Sequence, residues 1–491
     1  MKSPFAPLLL LAAIGAGTLA HAQRVDALGP QVRKYLRVAT PKVILEHVQV
    51  IDGTGAAPSA DRNIHIADGR ITAISPGADE AAGEGTTVID LRGHSVMPGI
   101  VGMHNHLWYL AIPRAAADGS AEGPALFMQM SFSAPRMYLA NGVTTARTVA
   151  SIEPQTEVRL KTAIEAGEIP GPHLDVTGPF LDGASDGRNL QIRQLTGPTD
   201  ARETVAYWAD RGVTSFKAYA NITRDELRAV VAEAHKRGLK VTGHLCSVTY
   251  AEAAQIGIDN LEHGFLEDTE LYPDRKPDIC SDPGGDYTIE RMTPGSAEAK
   301  RLFATLIEHH VAVTSTLVNN AISLRGADGA VPPLRPAAFE AMSPLVQENY
   351  RRWRDRPVSK RNTAFFLRRD MDLQRAFVAA GGLLIAGPDP VGIGDNIPGF
   401  GDQRQIELLV EAGFTPVQAI RIATLNGATF LGRQDRIGSI AVGKNADLVV
   451  VKGDPAARIA DIENVEIVFK DGAGYDPRKL LDSVRGRYGE Y

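Results

Sequence analysis

Eight short apolar runs, each followed by a helical stretch, constrain this chain more than any other feature it has. In order they read "VMPGIVGMHNHL", "GVTTARTVA", "HLDVTGPFL", "VTSFKAYA", "LKVTGHL", "NLEHG", "VAVTSTL" and "GLLIAGPD". β-Branched residues recur in them, and strands alternating with helices are the pattern of βα units around a parallel sheet. One intervening stretch, "TRDELRAVVAEAHKRG", opens on a Thr-x-x-Glu capping box at Thr223 and stops at Gly238. Eight such units close into a (β/α)8 TIM-type barrel, whose active site lies where strands end in loops.

The chain ends have a different texture. Residues 36–98 read as short strands broken by Asp-Gly and Thr-Gly turns, with near period-2 alternation, as in "KVILEHVQVIDGTG" and "RNIHIADGRITAISPG". The same texture returns within residues 433–475, in "GSIAVGKNADLVVVKGDP" and "ENVEIVFKDG". These two pieces predict one small β-sandwich formed from both chain ends, flanking a barrel over residues 99–432, with a C-terminal tail over 476–491. Two connections, residues 265–300 and 318–376, are long enough to act as lids or binding segments. The second contains "NYRRWRDRPVSKRN", which reads either as a solvated helical excursion or as a substrate-contacting element.

Lys2, the apolar "APLLLLAAIGAGTLA" and an Ala-x-Ala site ending at Ala22 describe a secretory signal peptide over residues 1–22. The run is short for a membrane span, and no later stretch is a candidate. The expected mature protein starts near Gln23, exported to the periplasm or medium, with no membrane partner once the leader is removed. Two cysteines, Cys246 and Cys280, do not make a disulfide framework in 491 residues. Export would permit them to pair, and Cys246 lies near His244. For Cys246 a ligand role is one reading and a small buried residue the plainer one. A net charge of −6 offers no basic face for nucleic acid.

The strand ends carry the chemistry. His104 and His106 close the first run and, two apart, share a face. Alone, the pair fits hydrogen-bonded structure as well as metal ligation. Lys217 lies in the fourth run, His244 ends the fifth, His263 the sixth and Asp389 the eighth. A charged amine aimed into a barrel is unfavourable unless paired or neutralised. Reaction with carbon dioxide would convert it to a carbamate, an anionic two-oxygen group able to bridge two metal ions. Four imidazoles, one carbamate and one carboxylate suit a pair of divalent ions such as Zn²⁺. Lys217 as a salt-bridge partner, or His263 as a satisfied core residue, explains each position singly but not the set.

These motifs resemble the amidohydrolase superfamily over about residues 40–475. "MPGIVGMHNHL" matches its opening His-x-His strand and "FKAY" its carbamylated-lysine strand. "GHL" and "LEHG" match its two later histidine strands, "AGPD" its final aspartate and "GKNADLVVV" its closing sandwich strand. Within the superfamily the chain is similar to exported dipeptidase-like and ochratoxinase-like members related to imidazolonepropionase. It departs from imidazolonepropionase itself and from the deaminases, which lack the bridging lysine and use one metal. "AGPDP", in place of the more usual Gly-Thr-Asp or Gly-Ser-Asp, changes the neighbours of Asp389 and leaves the ligand.

The resemblance implies that His104, His106 and Asp389 hold one zinc ion, His244 and His263 the other, with carbamylated Lys217 between them. A hydroxide bridging the metals would attack the carbonyl while Asp389 shuttles the proton. The implied substrate is a small molecule with a C–N amide or peptide bond: an N-acyl amino acid, an Xaa-Pro-type dipeptide or an ochratoxin-like amide. A cyclic amide or lactone is the alternative, and a non-catalytic scaffold the remote one. Tyr219, on the inward face with Lys217, either reaches the substrate or fills a barrel layer. Trp108 and Tyr109 are candidates for an apolar wall, and Arg147 and Arg188 for a carboxylate clamp. A homo-oligomer is expected.

Overall fold

The computed structural model describes residues 25–111, 126–184, 191–281, 283–323, 334–355, 363–392 and 396–490. The apolar runs form eight parallel strands: β1 (Ile100–Asn105), β2 (Val143–Thr148), β3 (His173–Asp182), β4 (Ser215–Ala218), β5 (Lys240–Gly243), β6 (Asn260–Leu261), β7 (Ala312–Ser315) and β8 (Leu384–Ala386). Each pairs in parallel with the next. Every residue of β2 and β7 is buried, as a parallel sheet covered by helices requires. Beyond β8 the chain returns to β1, where the Asp389 N–H donates to the His104 carbonyl at 3.0 Å. A Cβ at Gly387 would lie 2.1 Å from the His104 nitrogen, so only glycine permits this closure.

The helix Arg224–Lys236 shows how a connecting segment is specified. Thr223 accepts from the Glu226 N–H while Glu226 reaches back, and Leu227, Val230 and Ala234 are buried. Such reciprocal caps satisfy amides that have no partner inside the helix.

The first apolar run divides at Gly99. His94–Pro98 belongs to the outer sheet and Ile100–Asn105 to the barrel. Pro98 and Gly99 break the run, and a Cβ at Gly99 would lie 2.0 Å from Thr144. His94–Pro98 pairs antiparallel with Leu448–Lys452, joining the two chain ends in one nine-stranded, mostly antiparallel sheet. Val43, Leu45, Ile64, Val96, Leu448, Val450 and Phe469 share its core. The architecture is therefore the expected barrel with a sandwich built from both ends of the chain.

The closing residues fold back over the barrel. Asp476 caps the helix Pro477–Val484, and Tyr488 is buried with its ring 5.8 Å from that of Tyr109. The long connection after β6 carries the helices Gly284–Arg291 and Ala297–Glu308. Cys246 and Cys280 form a disulfide that ties this connection to the loop after β5. The sequence left this pairing open: the two loops cross at the barrel mouth with Cα atoms 4.8 Å apart, within disulfide reach. In the Arg-rich excursion, the helix Pro344–Asp355 buries Tyr350 and Trp353 and exposes Arg351, Arg352 and Arg354. Its described part is a solvated amphipathic helix. Among the described residues no helix is long and apolar enough to cross a membrane.

Candidate metal centre

Strand ends bring the six expected ligand residues to one mouth of the barrel. His104 is on β1 and His106 one residue beyond it; Lys217 is on β4, His244 follows β5, His263 follows β6 and Asp389 follows β8. His106 Nε2 lies 2.8 Å and His104 Nε2 3.4 Å from Asp389 Oδ1. These three form a buried group able to hold a metal ion. His263 approaches the same carboxylate, with Nδ1 3.8 Å from Asp389 Oδ2. The His244 and His263 ring centres are 4.5 Å apart and those of His104 and His263 4.8 Å. His263 (φ 66°) and Asp389 (φ 52°) adopt left-handed backbone conformations. Each costs roughly 1–3 kcal/mol outside glycine, and such strain clusters at functional sites.

The donor set fits a divalent cation. His104 Nε2 and His263 Nε2 are buried with no hydrogen-bond partner. Burial pushes His106 down to about 4 against the pull of Asp389. Burial and then Lys217 push His244 down to about 3, and burial and then His244 hold His263 well below the ordinary histidine range. Neutral imidazole is the metal-binding form. Burial alone would raise Asp389, but His104 and His106 outweigh it and hold the carboxyl well below its usual range. Lys217 is 2% exposed, and burial lowers its amine pKa. Among the described residues its Nζ has no ion-pair partner; it lies 5.4 Å from the Phe180 ring centre and 5.7 Å from that of Tyr219.

Several contacts were not legible beforehand. Glu262 Oε2 lies 2.7 Å from His104 Nδ1, and its Oε1 accepts from Arg147 at 2.8 Å and from Thr242. Burial would raise this carboxyl, but His104 and Arg147 hold it well below its usual range. Asn319 Nδ2 donates to Asp389 Oδ2 at 2.8 Å, and the Thr316 hydroxyl meets His263 Nδ1 at 3.0 Å. Glu262 stands beside His263 in "LEHG", and alternation would send the two to opposite faces. The left-handed backbone at His263 breaks that alternation and turns both toward the cluster.

The proposed substrate contacts divide. Trp108 lines a cavity of about 520 Å³ next to the cluster, stacked on His106 with ring centres 4.0 Å apart. Tyr219 lines it too, 4.9 Å from the His244 ring centre, with Phe127 and Phe180 alongside. Tyr109 does not: next to Trp108 in a strand, it faces the other way, where its hydroxyl accepts from Asn349 at 2.6 Å. Arg147 is likewise corrected. It is 1% exposed inside the barrel, with its guanidinium bound to Glu262, the Asn260 side chain and the Met103 carbonyl. Arg188 lies outside the described residues.

Two further clusters of ligand-type residues occur among the described residues. Glu46, His47 and Asp79 lie toward the surface, with Arg92 paired to Asp79. His173, Asp447 and Asp471 are more enclosed, but the buried Lys470 lies 3.4 Å from Asp471 and already supplies a cation.

A parallel barrel with a histidine and aspartate cluster at its strand ends is the architecture of a metal-binding hydrolase. Residues 95–473 match the amidohydrolase family, and the chain belongs to it. It is a hydrolytic enzyme acting on carbon–nitrogen bonds, with metal ions as the family's usual cofactors. An imidazolonepropionase of Symbiobacterium thermophilum is 23% identical over 409 residues, 78% of this chain and 82% of that protein. A solved Xaa-Pro dipeptidase with methionine bound in its active site superposes with a TM-score of 0.64 at 22% identity, covering 89% of this chain and all of that one. The ochratoxinase of A. niger superposes with a TM-score of 0.64 at 17% identity, covering 91% and 99%.

Proposed function

We propose that the chain hydrolyses an amide or peptide bond in a small molecule, using two divalent ions, zinc in the first instance, bridged by carbamylated Lys217. One observation carries this reading: the buried imidazoles of His104 and His106 converge on Asp389 at the edge of an aromatic-walled cavity, and His104 Nε2 has no hydrogen-bond partner there. His104, His106 and Asp389 would hold one ion, and His244 and His263 the other. The second pair has the Glu267 carboxylate 3.6 Å from His244 Nε2, and a carbamate on the Lys217 amine would add an anionic ligand shared with the first ion. When bound, the ions would supply Lewis acidity and lower the pKa of a water.

The rest is work for the chain's own side chains. Asn319 donates to Asp389 Oδ2 and orients the carboxylate that would take a proton and return it to the leaving nitrogen. Trp108, Phe127, Phe180 and Tyr219 form an apolar wall that suits an aromatic or bulky aliphatic substituent and excludes water. The Cys246–Cys280 bridge also lines the cavity. N-acyl amino acids, Xaa-Pro dipeptides and ochratoxin-like amides fit such a cavity, and the dipeptidase and ochratoxinase folds support that choice. Among the described residues no arginine lines the cavity. That favours, as a second reading, a cyclic amide or lactone, which needs no carboxylate clamp. We further propose export, supported by the apolar leader and by the disulfide.

The test is turnover by zinc-loaded protein of a panel of N-acyl amino acids, dipeptides, aryl amides and lactones. Cleavage of linear amides with apolar substituents is expected. Turnover confined to lactones would overturn the first reading.

A further inference from the structure

We propose that Glu262 is a positioning residue that sets the tautomer of His104, presenting its Nε2 to a metal ion, and that Arg147 holds Glu262 in place for this task. The inference rests on the metal-centre reading above. His104 is fully buried and has two ring nitrogens with different surroundings. Nδ1 faces Glu262 Oε2 at 2.7 Å, whereas Nε2 has no hydrogen-bond partner and points toward Asp389. A carboxylate only accepts hydrogen bonds, so Nδ1 is the donor in this contact and carries the ring proton. That leaves the Nε2 lone pair free. A partner of this kind on the far nitrogen both orients an imidazole and raises its basicity toward a metal.

Arg147 explains why Glu262 can do this. The carboxylate is fully buried and acts as an anion only if its charge is matched. Arg147 Nη2 donates to Oε1 at 2.8 Å, and the Thr242 hydroxyl donates to the same oxygen. The guanidinium is itself fixed by the Met103 carbonyl at 2.8 Å and the Asn260 amide oxygen at 2.7 Å. With Oε1 so occupied, Oε2 is directed at His104. The chain from Arg147 to Glu262 to His104 therefore runs from the barrel interior to the metal edge, and Arg147 acts through Glu262 without touching substrate.

The experiment compares wild type with Glu262→Gln and with the double variant Arg147→Met/Glu262→Gln. The readouts are zinc affinity by chelator competition, the visible spectrum of the cobalt-loaded protein, and melting temperature. Glu262→Gln leaves Arg147 buried without its counter-charge and is destabilised for that reason; the double variant removes both charges and recovers stability. The proposal expects zinc affinity to stay about 10- to 100-fold below wild type in the double variant, with an altered cobalt spectrum. A double variant with wild-type zinc affinity and spectrum would show that the pair is only structural and would overturn the proposal. A crystal structure of zinc-loaded wild type decides without any variant: ligation through Nε2 with Nδ1 on Glu262 supports the proposal, and ligation through Nδ1 overturns it. Wild type that binds no metal would instead remove the metal-centre reading on which the inference rests.

Discussion

His106 Nε2 lies 2.8 Å from Asp389 Oδ1, although 283 residues separate the two in the chain. The chain just beyond β8 returns to β1 and produces this contact, with the Asp389 N–H bonded to the His104 carbonyl. Asp389→Asn keeps the shape and removes the proton acceptor. It is expected to lower kcat by roughly 10²- to 10⁴-fold, with KM changed far less. Steady-state kinetics on the best substrate of the panel check this; a wild-type kcat would remove Asp389 from the chemistry.

Lys217 distinguishes a bridged pair of metals from a structural lysine. Lys217→Ala is expected to be nearly inactive, and acetate with zinc to restore part of the activity by standing in for the carbamate. Lys217→Arg puts a fixed cation beside the ligands and is expected to resist rescue. Intact mass under bicarbonate should include the carbamate. An active, metal-loaded enzyme with a free amine at Lys217 would defeat the bridge.

The disulfide closes a loop with a sequence separation of 34 residues, which on the chain-entropy account stabilises by about 3–4 kcal/mol. Cys246→Ser/Cys280→Ser should melt several degrees lower. Because both cysteines line the cavity, KM should rise more than kcat falls. Unchanged melting and kinetics would show that the bridge constrains neither the fold nor the cavity.

Glu157 is fully buried, with Oε2 lacking a partner and Oε1 only 3.4 Å from Gln129 Nε2. Burial pushes its carboxyl up to about 7. The folded chain then keeps a proton that the unfolded chain releases near pH 4.5. The stability it contributes is complete below that pH and is lost as pH rises through about 7. At 1.36 kcal/mol per pH unit, the loss is about 3 kcal/mol. Glu157→Gln removes this term, so its melting temperature relative to wild type should rise from pH 5 to pH 8. A constant difference would contradict the assignment.

The sequence was most legible where burial and geometry coincide. β-Branched runs carrying His104, His106, Lys217, His244, His263 and Asp389 at or near their ends announced the barrel and the gathering of these side chains at one edge, because strand ends in a parallel barrel all open on one side. It was least legible where a polar group is buried for the sake of another. Arg147 looked like a substrate clamp because its partner Glu262 is distant in sequence, and Glu262 was hidden behind the left-handed turn at His263. Tyr109 was misread because β-pairing beyond His106 sends Trp108 and Tyr109 to opposite faces. The Cys246–Cys280 bridge depends on how two loops cross, which no local pattern records.

Metal content measured alongside activity decides whether the enzyme depends on metal. Purified protein is expected to carry close to two divalent ions per chain. Chelation should abolish turnover and zinc restore it, and His106→Ala or His263→Ala should lower ion content and activity together. Full activity in thoroughly metal-free protein would contradict the account.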